Sequence, residues 1–125
     1  MQIIVTGGRD YQDMIKLSEV LDKLGATLII QGGATGADSL ALEYAKSKGL
    51  PYITYEADWD DLSQPDARIK YTRFGKPYDA QAGHRRNYKM LSENKTATVV
   101  AFPGGAGTRN CVMSAKKLGM KIFIV

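Results

Sequence analysis

The chain is poor in the residues that build disulfides and most transition-metal sites. It has one cysteine, Cys111, and one histidine, His84. A lone cysteine excludes an internal disulfide and agrees with a reducing compartment. A lone histidine without neighbouring ligand residues does not form a metal-binding pattern, so we expect neither a metal nor another cofactor.

Long apolar runs are missing too. The longest apolar segments have the length of a β-strand, and the chain enters one of them within its first residues. A membrane-spanning helix needs about 20 consecutive apolar residues, so none is expected here. We therefore expect no signal peptide, no association with a membrane and a cytoplasmic location.

Acidic residues are fewer than basic ones, and the difference is local. The 125 residues include 13 Asp and Glu against 17 Lys and Arg, which gives a net charge of +4. Between Arg68 and Lys89 there are seven basic residues and one acid, Asp79. This segment gives the protein a positive side, which could bind nucleic acid or a small polyphosphate, or could be a solvated loop.

Short segments rich in Ile, Val, Thr and Tyr alternate with segments whose apolar residues recur at helical spacing. The strand-like segments are Gln2–Thr6, Thr27–Gln31, Tyr52–Tyr55, Ala97–Phe102 and Lys121–Val125. Their near-continuous apolar character is typical of strands covered on both faces. The alternation predicts an α/β fold in one domain, residues 1–125, with a doubly wound, mostly parallel, Rossmann-like sheet of five strands.

Three glycine-rich turns each follow a predicted strand and precede a predicted helix. They read Thr6-Gly7-Gly8-Arg9, Gln31-Gly32-Gly33-Ala34-Thr35-Gly36-Ala37-Asp38 and Phe102-Pro103-Gly104-Gly105-Ala106-Gly107-Thr108. A helix that starts after such a turn presents unpaired N–H groups and the positive end of its dipole, which together bind anions. In the doubly wound strand order 3-2-1-4-5 all three turns reach one crevice, so we expect a phosphate-bearing ligand there.

The segment 57–82 is several times longer than an ordinary connection. It contains the only tryptophan, Trp59, and three further aromatic residues among its basic ones, Tyr71, Phe74 and Tyr78. This composition could stack on a base and neutralise phosphate. It is equally typical of a hairpin or lid whose aromatic side chains attach it to the rest of the domain, or of a subunit contact.

Five short motifs, spread over nearly the whole chain, resemble the SLOG superfamily and in particular its small YspA-like branch. They are Gly7-Gly8-Arg9-Asp10-Tyr11, Gly32-Gly33-Ala34-x-Gly36-Ala37-Asp38, Ala57-Asp58-Trp59, Arg86-Asn87-x-x-Met90 and Pro103-Gly104-Gly105-x-Gly107-Thr108. The resemblance implies a Rossmann-like fold that binds nucleotides or molecules derived from them. Similar proteins include cytokinin-activating phosphoribohydrolases, the DNA-processing protein A and sensor domains that respond to nucleotide signals.

One position departs from the pattern of the phosphoribohydrolases that the chain resembles. Their motif continues to a glutamate that takes part in cleaving the N-glycosidic bond, and Cys111 stands at that position here. A neutral thiol neither protonates a leaving base nor stabilises a sugar cation. Arg86 matches the arginine of their catalytic pair, so an enzyme would need Arg86 together with another acid, Asp38 or Asp10. We favour binding without hydrolysis.

The candidate ligand-binding residues come from the three turns and from the motif that contains Arg86. They are Gly7, Gly8, Arg9, Gly33, Gly36, Asp38, Arg86, Asn87, Pro103, Gly104, Gly105, Ala106, Gly107 and Thr108. We expect the backbone of the last turn to hold the phosphate of a nucleotide or nucleotide derivative, sensed or sequestered as a signal, and Arg9 and Arg86 to balance its charge. Hydrolysis of a nucleotide and binding of single-stranded nucleic acid are the alternatives.

Self-association is the remaining expectation. The aromatic residues of the long segment would be poorly covered in a lone domain of this size, and related proteins commonly pair. We therefore expect a homo-oligomer in which Trp59–Tyr78 contributes to the contact and Arg86 lies near it.

Overall fold

A computed structural model describes residues 1–125. Its strands are β1 Gln2–Thr6, β2 Leu28–Gln31, β3 Tyr52–Thr54, β4 Ile69–Tyr71, β5 Pro77–Asp79, β6 Thr98–Ala101 and β7 Ile122–Ile124. Its helices are α1 Met14–Leu24, α2 Ala37–Lys48, α3 Ala82–Ser92 and α4 Ala106–Lys117. None of these helices is long and apolar enough to cross a bilayer.

Five strands form a parallel sheet in the order β3-β2-β1-β6-β7. The central strand β1 pairs with β2 on one side and β6 on the other, so that Ile4 lies opposite Ile30 and Val99. The predicted Rossmann-like fold and its strand order are confirmed. The chain leaves the sheet after β3 and returns on the far side of β1, which creates a crevice between the carboxyl ends of β1 and β6.

Both faces of the sheet are covered by helices. On one face Ile3 and Val5 pack in a buried cluster with Leu17 of α1. On the other face Ile4 packs in a second cluster with Met90 of α3. Because successive strand residues point to opposite faces, a run of apolar residues fills both layers, which is why the strands read as continuous apolar segments.

An acidic side chain caps the start of α1. The N-cap is Asp13, whose Oδ1 accepts a hydrogen bond from the Lys16 N–H at 3.0 Å. Asp10 is not the N-cap, and its carboxylate lies at the crevice. The helix ends at Gly25, with the left-handed φ of 68° that glycine adopts without strain.

The long segment between β3 and α3 contains an antiparallel hairpin made of β4 and β5. Its turn closes through Gly75, which has a φ of 82°, and through a 2.9 Å hydrogen bond from the Thr72 N–H to the Lys76 carbonyl. The predicted loop is thus partly regular structure. Strands of three residues are too short to show an alternating pattern, so the sequence gives little sign of them.

Asp79 at the end of β5 fastens the hairpin to the domain. Its side chain is fully buried and accepts hydrogen bonds from the backbone N–H groups of Arg68 and Gln81 at 3.0 and 2.9 Å. Arg85 of α3 adds an ion pair. Burial alone would raise the pKa of Asp79, but these hydrogen bonds and the Arg85 charge outweigh it and hold the pKa below its usual value.

We expect Asp79→Asn to lower the melting temperature by several degrees at neutral pH. The folded state stabilises the Asp79 carboxylate, so its pKa is lower in the folded protein than in the unfolded chain, where it is about 4. Its contribution to the free energy of unfolding is therefore complete above about pH 4 and is lost as the pH falls through the pKa of the folded protein. Melting curves of both proteins from neutral pH to about pH 3 should therefore converge.

Asp66→Asn is the control for this prediction, since Asp66 is the exposed partner of the same Arg85 side chain. Exposed ion pairs contribute little to stability, so this variant should melt almost as the wild type does. The assignment would be contradicted if Asp79→Asn melted like the wild type at neutral pH. It would also be contradicted if the difference in melting temperature did not change with pH.

Candidate functional site

The three glycine-rich turns meet at the crevice and are hydrogen-bonded to one another. The Gly8 N–H donates to the Pro103 carbonyl at 2.8 Å, and the Gly8 carbonyl accepts from the Ala37 N–H at 3.1 Å. The turn after β1 is therefore joined to the turns after β6 and β2. The floor of the crevice consists of backbone.

Two glycines make this close approach feasible. Gly36 has a φ of 74°, and a Cβ there would overlap the Gly8 carbonyl oxygen. A Cβ on Gly104 would overlap the Thr108 hydroxyl and lie 2.7 Å from the Gly8 nitrogen. Any larger residue at either position would push the turns apart.

A cavity of about 420 Å³ opens above these turns. Most of the predicted ligand-binding residues line it: Gly7, Gly8, Arg9, Asp38, Arg86, Asn87, Gly105, Ala106, Gly107 and Thr108. Gly33 lines an adjoining cavity with Arg9 and Arg86. Gly36, Pro103 and Gly104 do not line the main cavity, and their contacts hold its floor together.

The first turn of α4 presents free hydrogen-bond donors to the cavity. The helix begins at Ala106, and its N-cap, Gly105, has no side chain to cap it. The backbone N–H groups of Ala106, Gly107 and Thr108 donate to no acceptor of the protein. With the positive end of the helix dipole, these three donors can bind an anion.

The sequence did not assign the first turn of α3 to the site, yet Gly83 and His84 line the same cavity. The Trp59 ring lies against Gly83, where a Cβ would stand 2.9 Å from it. The only sequence signal for this contact is the pair of small residues, Ala82 and Gly83, that opens the helix. His84 is exposed, and it lines the cavity.

Arg86 reaches from α3 to the turn after β2. Its Nε donates to Asn87 Oδ1 at 2.9 Å, and its Nη1 donates to the Gly32 carbonyl and, at 3.4 Å, to the Tyr55 carbonyl. No carboxylate forms an ion pair with it. Burial lowers the pKa of Arg86 and the nearby Asp38 opposes this effect, but a guanidinium remains charged at neutral pH. Its positive charge is therefore available to a bound anion.

Arg9 is the second cation at the cavity without an ion-pair partner. Its exposed guanidinium carbon stands 5.4 Å from the centroid of the Trp59 ring, in a cation–π contact. Such a contact is weak at an exposed position, on the order of 0.5–1 kcal/mol, so a ligand could displace the arginine from the ring.

Asp38 is the buried acid of the cavity, with 8 % of its surface exposed. Its Oδ2 accepts a hydrogen bond from the Ala34 N–H at 3.2 Å and so closes the turn before α2. Burial raises the pKa of Asp38, and the hydrogen bond from Ala34 and the charge of Arg86 only partly offset this effect. Nowhere do three metal-ligating side chains cluster closely enough to hold an ion.

Cys111 is fully buried among the core residues between the sheet, α3 and α4. It does not line the cavity. Burial raises the pKa of its thiol to about 11. At neutral pH it is therefore neither a thiolate nucleophile nor a substitute for the missing glutamate.

Comparison with known proteins agrees with this geometry. Residues 1–61 match the family model described as "YspA, cpYpsA-related SLOG family". The resemblance to the SLOG superfamily is confirmed. The matched segment contains β1 to β3 and the first two glycine-rich turns, and it ends beside Trp59.

A solved structure supports the same fold. The X-ray structure of TM1055, a target of the Northeast Structural Genomics Consortium, matches with a TM-score of 0.62 and 21 % sequence identity. The alignment covers 96 % of this chain and 71 % of TM1055. At this identity the likeness shows the Rossmann-like fold alone. No curated protein matches the sequence.

We expect Gly36→Ala to lower the free energy of unfolding by more than the about 1–3 kcal/mol that an unfavourable φ costs. The reason is that the new Cβ would also overlap the Gly8 carbonyl oxygen. Gly119→Ala is the matched control, because Gly119 has a φ of 69° but an open space around its Cβ position. Urea unfolding of the two variants measures the difference, and equal losses would show that the turns are not in close contact.

Proposed function

We propose that the protein binds a nucleotide or a nucleotide derivative, with a phosphate of the ligand at the first turn of α4. The observation that carries the proposal is the pairing of free donors with free charge. Three unpaired N–H groups of Ala106, Gly107 and Thr108 line one cavity together with Arg9 and Arg86, which have no ion-pair partner. A bound anion would accept hydrogen bonds from the N–H groups and would balance the charge of the arginines.

The phosphate would accept hydrogen bonds from these N–H groups and from the Thr108 hydroxyl. Arg86 would donate from the opposite wall, where its hydrogen bonds to the Gly32 and Tyr55 carbonyls already fix its direction. The Arg86 side chain would therefore lose little conformational freedom on binding, which favours affinity.

The Trp59 ring is the surface proposed for the base. It lines the cavity beside Gly83 and contacts the Arg9 guanidinium and the Tyr78 ring. A base could replace the guanidinium on the ring, and the released Arg9 could then reach the phosphate. A volume of about 420 Å³ lies within the range of small-ligand sites and suits one nucleotide.

The match of residues 1–61 to a SLOG family model supports the nucleotide class of the ligand. The absence of a carboxylate at position 111 favours binding over hydrolysis, so the form of the proposal that we prefer is a protein that senses or sequesters a nucleotide signal.

A phosphoribohydrolase remains the second candidate, and Asp38 is the observation in its favour. Burial raises the pKa of this cavity acid, as a general acid requires. Against it, the Asp38 carboxylate accepts a hydrogen bond within its own turn, from Ala34.

We expect a panel of nucleotides and cyclic nucleotides to contain at least one ligand that raises the melting temperature, because a ligand of the folded state stabilises it. Gly107→Asp should weaken that ligand about 100-fold, since a charge about 6 Å from a phosphate costs about 3 kcal/mol at an effective dielectric constant of about 20. Gly107→Asn is the matched control, and it should keep most of the affinity because a Cβ at Gly107 meets no atom within 4 Å.

Analysis of the bound molecule separates the two candidates. Heat denaturation of the complex should release the intact ligand, as a sequestering protein requires. Free base would support the hydrolase instead, and an unshifted melting temperature across the whole panel would contradict nucleotide binding altogether.

The homo-oligomer and the cytoplasmic location remain predictions. Two aromatic residues proposed for the subunit contact, Trp59 and Tyr78, contact each other within the chain, with their rings edge to face at 6.3 Å. Trp59 is half-buried at the cavity, so an oligomer is not needed to cover it.

A further inference from the structure

The tip of the β4–β5 hairpin exposes aromatic rings that the fold does not use. Phe74 is 84 % exposed and Tyr71 is 68 % exposed. Neither belongs to a core cluster, and the aromatic contact of Phe74 is with the guanidinium of its neighbour Arg73, at 5.0 Å. Large exposed apolar side chains grouped on one element are typical of an interaction surface.

These rings stand on an ordered support. Within the turn, the Gly75 N–H donates to the Thr72 carbonyl at 2.9 Å and the Lys76 N–H donates to the Thr72 hydroxyl at 3.1 Å. At the base of the hairpin, Asp79 is buried and bonded to Arg85. A partner would therefore meet a largely preformed surface and would pay little entropy to order it.

The same surface is positive. Arg68, Lys70, Arg73 and Lys76 lie on the hairpin, and no acid occurs from position 67 to position 78. Only Lys76 has an acidic partner, Asp60, in an exposed ion pair at 3.3 Å. Exposed pairs of this kind contribute little and exchange readily, so the hairpin offers its charge to a polyanion.

We propose that the hairpin binds single-stranded nucleic acid. Bases stack on Phe74 and Tyr71, while Arg73, next to Phe74, contacts the phosphate between them. Exposed aromatic side chains with cations among them suit unpaired bases, whereas the bases of a duplex are already stacked on one another. The hairpin lies outside residues 1–61, the segment that matches the family model.

The hairpin also borders a groove of about 650 Å³, lined by Arg9, Trp59, Asp60, Thr72, Lys76, Tyr78 and Ala80. Phe74, Tyr71 and Arg73 do not line this groove, so the proposed site is the exposed tip of the hairpin and not the groove. The proposal does not depend on a nucleotide in the main cavity.

Fluorescence anisotropy of labelled oligothymidylate and oligouridylate with the full chain tests the proposal. We expect binding whose log affinity falls with log salt with a slope of about −2 to −3, because three or four cations each release about 0.7 of a counterion. Phe74→Ala should weaken binding about tenfold through the lost stacking. Arg73→Glu should weaken it and make the slope shallower by at least about 0.7.

Matched controls lie elsewhere on the surface. Tyr88→Ala removes an aromatic side chain that is 59 % exposed on α3, and Lys16→Glu reverses an exposed charge in α1. Both should bind the oligonucleotides as the wild type does. All four variants change exposed side chains, so their melting temperatures and Trp59 fluorescence should match those of the wild type.

Three results would overturn the proposal. The first is an absence of oligonucleotide binding at low salt. The second is binding that Phe74→Ala and Arg73→Glu leave unchanged. The third is preference for a different partner, seen as sedimentation with phosphatidylserine vesicles that the two variants abolish, while oligonucleotide binding is absent.

Discussion

The site depends on one backbone contact, the pair of hydrogen bonds that Gly8 makes in opposite directions. Its N–H donates to Pro103 and its carbonyl accepts from Ala37, so the ends of three strands are held at hydrogen-bond distance. Side chains do not fit between turns that lie this close, as the overlap of a Cβ on Gly36 with the Gly8 carbonyl indicates. The glycines therefore fix the shape of the cavity floor, and the surrounding helices and arginines take their positions from it.

The distribution of charge separates two parts of the molecule. In the part that fastens the hairpin, Asp79 and Arg85 neutralise each other, and the backbone N–H groups of Arg68 and Gln81 complete the arrangement. At the cavity, by contrast, Arg9 and Arg86 have no carboxylate in contact. The ion pair of Asp79 and Arg85 therefore has a structural role. The charges of Arg9 and Arg86, which have no such partner, are available to a ligand.

Much of the fold follows from the sequence because apolar strands, helical spacing and glycine turns agree with one another. The three turns in particular could be placed at one crevice from strand order alone. The hairpin could not be predicted, since Ile69–Tyr71 and Pro77–Asp79 are too short to show a period. The neutralisation of Arg85 could not be predicted either, because it depends on the burial of Asp79, the single acid in that segment. In the sequence, Arg85 is one more basic residue. The place of His84 at the cavity depends likewise on the angle at which α3 meets the sheet.

The central claim is that the free N–H groups at the start of α4 bind phosphate. Its most direct test is a titration of the ¹⁵N-labelled protein with inorganic phosphate, followed by the amide resonances. The account predicts saturable shifts that are largest for Ala106, Gly107 and Thr108, because these donors gain an acceptor that the protein does not supply. Saturable shifts confined to other parts of the chain, or none at any amide of this turn, would contradict it.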